Sequence, residues 1–74
     1  MKIKIETDES ISVRQAAIII DELKIQVDMM RSEGKTPTTI GIVRDGIYGG
    51  LNISRAGNWF VGVRKVDIQE QKAA

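Results

Sequence analysis

The chain has 74 residues and a net charge of +1, which is the size of one domain and too even a balance to argue for nucleic acid by itself. With no Cys it forms neither disulfides nor zinc–thiolate sites and has no thiol nucleophile, and with no His it lacks the usual general base and commonest metal ligand near neutral pH. Its apolar content is aliphatic, 12 Ile and 6 Val against one Trp, one Tyr and one Phe, so the core is small and a second copy of the chain is a natural source of further burial.

Lys2 to Glu6 alternates charged and aliphatic residues, with Ile3 and Ile5 inward, and reads as a strand with one wet face. Thr7 to Ser10 is a polar link. A long helix follows over 12–32: Ser12 and Gln15 form a capping box, Ile11 can staple onto Ala16, and Gly34 followed by Pro37 marks the stop. At about 100° per residue, Val13, Ala16, Ala17, Ile20, Leu23, Val27 and Met30 make one stripe for the sheet, with Ile19 at its edge. Ile11, Ile18, Ile25 and Met29 gather on the opposite side. A helix on a small monomer needs one apolar stripe, and Ile18 and Ile25 stand seven apart, as at one heptad position. These four are therefore expected to form the interface of a homo-oligomer, a dimer in the simplest case.

A second strand, 38–44, is expected to run into Asp45-Gly46, the pair that a two-residue type I′ turn requires. That turn sets Ile42 against Gly49, Gly41 against Gly50 and Ile40 against Leu51. For the last hairpin a three-residue loop over Ala56 to Asn58 aligns Ile53 with Val61 and keeps Trp59, Val61 and Val63 inward. The last strand then runs from Trp59 to about Val66. The fold class expected is α+β, in the order β-α-β-β-β, with one long helix on one face of a four-stranded, mainly antiparallel sheet. Residues 1–68 make a single domain and 69–74 a flexible tail.

The face away from the helix collects Gly41, Tyr48, Gly50, Asn52, Phe60, Gly62 and Arg64, and glycines inside strands often mark a place where another chain approaches closely. Residues 34–74 carry six bases against three acids, whereas 1–33 carry five bases against seven acids. Tyr48, Phe60, Arg44, Arg55, Arg64 and Lys65 are the expected partner-binding residues. Two motif-like strings carry no chemistry: Gly34-Lys35-Thr36 follows a helix instead of a strand, and the GXXG string Gly46-Ile47-Tyr48-Gly49 sits in a hairpin.

No catalytic constellation, cofactor site or metal site is expected. The function expected is a small non-catalytic, homo-oligomeric interaction module that binds another macromolecule as regulator, adaptor or inhibitor, in the manner of accessory proteins of phages and mobile elements. A protein is the favoured partner. Nucleic acid on the basic, aromatic sheet face is the first alternative, and a small anionic ligand held by Arg44, Arg55 or Arg64 at a subunit interface is the second. No run approaches the ~20 apolar residues of a membrane span and no signal peptide is visible, so the expectation is a cytoplasmic protein with no membrane partner.

Overall fold

The computed structural model describes residues 2–66, so the tail expected at 69–74 and the domain end expected at 68 lie outside the described residues. The elements are β1 (Ile3–Thr7), α1 (Val13–Ser32), β2 (Thr39–Arg44), β3 (Ile47–Ile53) and β4 (Trp59–Lys65). They form a four-stranded sheet in the order β1-β4-β3-β2, with β1 parallel to β4 and the other two pairs antiparallel. This is the α+β arrangement expected, and it places β1 on an edge.

Both ends of α1 are closed by local chemistry. Ser12 Oγ accepts from the Gln15 N–H at 3.1 Å while Gln15 Oε1 accepts from the Ser12 N–H at 3.2 Å, completing the capping box. At the other end Gly34, with φ +79, donates to Arg31 O, and Lys35 donates to Met30 O, the paired bonds of a Schellman stop. Asp45 (φ 52) and Gly46 (φ 75) form the expected tight turn, and the β2–β3 register is the one that turn dictates.

The β3–β4 register differs from expectation by two residues: Ile53 faces Trp59 and Leu51 faces Val61. The loop is still three residues long, but it is Arg55-Ala56-Gly57. Ser54 closes it by donating its N–H to Asn58 O and accepting the Asn58 N–H on Oγ, and Gly57 at φ +83 takes the left-handed position. A slip of two preserves the inward set, so Trp59, Val61 and Val63 are buried as expected.

The core is Ala16, Ile19, Leu23 and Val27 of α1 against Ile47, Leu51, Trp59, Val61 and Val63, with Ile11 beneath the helix start. Ile11 therefore does not join Ile18, Ile25 and Met29; it is 7% exposed and belongs to the core. It precedes the cap, so a helical angle does not describe it, and it instead makes the staple position opposite Ala16. Val13 also departs from expectation at 87% exposed, while Ile19 sits at the centre of the buried stripe.

The cause lies in Gly49. A Cβ there would overlap Ile19 Cγ2, so the Ile19 side chain of α1 lies directly on the backbone of β3. Drawn over β2 and β3, the helix leaves the inner side of β1 only partly covered, and Ile3 and Ile5 are half-exposed. No helix among the described residues is long and apolar enough to cross a membrane.

Candidate functional site

The face of the sheet away from α1 is organised in three rows that run across the strands. Register places Lys4, Phe60, Asn52 and Thr39 in one row, Glu6, Gly62, Gly50 and Gly41 in the next, and Arg64, Tyr48 and Val43 in the third. Three glycines on three adjacent strands thus align as the floor of a trough. Its walls stand four residues apart along each strand, roughly 13 Å from backbone to backbone.

Two of the three glycines are accounted for inside the chain. The Tyr48 ring leans into the trough, and a Cβ at Gly41 or Gly50 would meet it at 3.0 or 3.1 Å. Arg64 stacks over that ring, its Cζ 5.4 Å from the centroid, a cation–π contact worth about 0.5–1 kcal/mol at an exposed site. Gly62 is different. Among the described residues a Cβ there would meet nothing within 4 Å, and its φ is not one that excludes other residues. What remains open is a shallow concavity of about 350 Å³ over Gly62, bordered by Phe60, Arg64, Lys4 and Glu6.

No family model matches the sequence, and comparison with curated proteins and with solved structures found no significant match.

Of the six expected partner-binding residues, Tyr48, Phe60 and Arg64 are brought together on this face. Arg44, Arg55 and Lys65 are not. Arg44 shares the parity of Ile40 and Ile42, so it points to the helix side, where it pairs with Glu22 of α1. Lys65 shares the parity of Val61 and Val63 and also belongs to the helix side. Arg55 lies in the β3–β4 loop, at the opposite end of β4 from Arg64. Lys4 and Glu6 complete the face, and the sequence pattern does not assign them to it because it does not fix the place of β1 in the sheet. Their signal was the alternation of Lys2 to Glu6, which sets them opposite Ile3 and Ile5.

Two further surfaces carry apolar side chains. On the outer side of α1, Ile18, Ile25 and Met29 are 45%, 55% and 53% exposed in the single chain. Between α1 and β1, an open groove of about 320 Å³ is lined by Ile5, Ile11, Val13, Ala17 and Ile20.

Proposed function

We propose that the chain is a small non-catalytic interaction module that binds another macromolecule across the glycine trough. It acts as a regulator, adaptor or inhibitor by covering its partner's surface, and it self-associates through the outer side of α1. The observation that carries the binding reading is Gly62. Glycine inside a strand costs roughly 0.5–1 kcal/mol relative to alanine, and no contact among the described residues requires it there. Close approach by another molecule supplies the missing reason. Phe60 and Tyr48 offer rigid aromatic area beside Arg64, the side-chain types that dominate protein interfaces.

Self-association is supported by the exposure of Ile18, Ile25 and Met29 along one line of the helix. The cytoplasm is the compartment we propose, on the cysteine-free composition.

A protein is the partner we favour, because Glu6 closes one end of the trough and opposes a phosphate backbone there. Nucleic acid is the second reading, supported by the half-exposed Phe60 ring lying beside Lys4 in register with Arg64 one row away, a base-stacking platform with cations near it. The test is capture from a lysate of the source cell on immobilised wild type and Gly62→Val, quantified by mass spectrometry, beside binding of mixed oligonucleotides at low and high salt. Gly62→Val should keep the wild-type circular dichroism spectrum and lose the protein that wild type retains. Equal retention by both would sink the trough reading. Oligonucleotide binding that weakens steeply with salt and disappears in Phe60→Ala would replace the protein partner by nucleic acid.

A further inference from the structure

The free edge of β1 presents a second kind of surface. In the ladder with β4, Trp59 donates its N–H to Lys2 O, and Asp8 donates its N–H to Val63 O. Backbone groups alternate in direction along a strand, so the even-numbered residues of β1 face β4, and Ile3, Ile5 and Thr7 turn their N–H and C=O groups outward. Among the described residues no strand pairs with them, since β1 is the first strand in the order. Ile3 and Ile5 also leave about half of their side chains in water on the helix side.

Charged side chains on an edge strand ordinarily discourage pairing, because like charges meet across the new ladder. Here the signs are segregated along the strand: Lys2 and Lys4 come before Ile5, and Glu6 and Asp8 come after it. An antiparallel two-fold pairing reverses that order in the second copy. Hydrogen-bonded pairs must join residues whose backbone groups face outward, so only odd residues pair with odd residues. The register centred on Ile5 then sets Ile5 against its own copy and Ile3 against Thr7 of the second copy. Lys4 faces Glu6 of the second copy, and the same pair recurs on the other side of the axis. Moving the centre by one residue to Lys4 puts two lysines in direct opposition, and moving it to Glu6 puts two glutamates there.

We propose that β1 pairs edge to edge with β1 of a second copy, antiparallel and centred on Ile5, joining two four-stranded sheets into one of eight strands. The occupant of this edge is therefore the chain itself, selected by the Lys4 and Glu6 charges. This contact does not use the outer side of α1, and it shares only the border residues Lys4 and Glu6 with the glycine trough, not Gly62, so it stands if either of those readings fails. Where the helix contact also forms, the two contacts together build assemblies larger than a dimer.

The test uses full chains carrying Ile18→Glu and Ile25→Glu, so that the outer side of α1 plays no part, with circular dichroism on every variant. In that background Lys4→Glu makes both charged positions within Ile3–Thr7 acidic and Glu6→Lys makes both basic. Native mass spectrometry and sedimentation should find the background chain dimeric, and each reversal should weaken the dimer about tenfold or more, from two pairs changed at once. An equimolar mixture of the two reversals should restore a dimer with one copy of each, which only contact between chains can do. A mixture that stays monomeric, or single reversals that associate as well as the background, would overturn the proposal.

Discussion

Ile19 Cγ2 occupies the space that a Cβ on Gly49 would need, so the Ile19 side chain rests on the backbone of β3 with no strand side chain between them. Both residues are buried, and β3 cannot yield without disturbing its ladders to β2 and β4. Gly49→Ala should therefore destabilise the fold by about 1–3 kcal/mol, the range of a core overpacked by one methyl. Urea denaturation measures it. Adding Ile19→Ala should recover part of the loss, a coupling that two independent sites would not show.

The open-face glycines should behave in the opposite order. Gly62→Ala meets open space and should raise stability by about 0.5 kcal/mol, the gain from replacing glycine inside a strand. Gly50→Ala must displace the Tyr48 ring, which lies at the surface and can rotate, so its cost should fall between those of Gly62→Ala and Gly49→Ala. The ranking of the three urea midpoints checks the assignment. A costly Gly62→Ala would remove the argument that this glycine serves a partner.

These glycines also show how far the sequence could be read. The register of Gly49 opposite Ile42 was legible, because Asp45-Gly46 demands one turn type and that turn fixes every later pair. The last hairpin was legible in parity but not in register, since the Ser54–Asn58 bonds that close the loop one residue early depend on geometry that composition does not express. Arg44 was misplaced although the parity of Ile40 and Ile42 already put it under the helix. The half-covered inner side of β1 was not legible at all. It follows from how far α1 is drawn over β3, which angular periodicity along the helix cannot report.

Ser12 holds the first turn of α1 through a reciprocal pair of bonds with Gln15. Removing the hydroxyl in Ser12→Ala leaves an N–H of that turn without its acceptor and should cost about 1 kcal/mol. In a domain of this size that is a fall of roughly 4–8 °C in Tm. Calorimetry on Ser12→Ala and Ser12→Asp separates the cap from other effects, because Asp supplies the same acceptor and should retain most of the stability.

Asp8 gives the fold an acid sensitivity of definite sign. Its carboxylate accepts from the Ser10 N–H at 3.1 Å and the Ser10 hydroxyl at 3.0 Å, and these bonds, with a smaller pull from Lys65, hold its pKa below the ordinary value of 3.8. A carboxyl depressed in the folded state contributes stability that is present above its unfolded pKa and is lost as the pH falls through its folded pKa. Wild type should thus lose urea resistance below about pH 4 more steeply than Asp8→Asn, with the two curves parallel nearer neutrality. Parallel curves over the whole range would show that the Ser10 bonds do not discriminate between the charged and neutral forms.

Ile18 and Ile25 decide whether the outer side of α1 is an interface. Each exposes about half of its surface in the single chain, at 45% and 55%, so replacing them with glutamate removes nothing from the core and should leave the thermal transition of an isolated chain within about 0.5 kcal/mol. In an oligomer the same changes place four carboxylates of two copies on one apolar seam, where burial of unpaired charge is strongly unfavourable. Sedimentation of Ile18→Glu/Ile25→Glu should accordingly show a smaller species than wild type at the same concentration, with an unchanged circular dichroism spectrum. If wild type and the double variant sediment alike, the helix contact does not exist, and any residual association would belong to β1, where Lys4→Glu and Glu6→Lys address it separately.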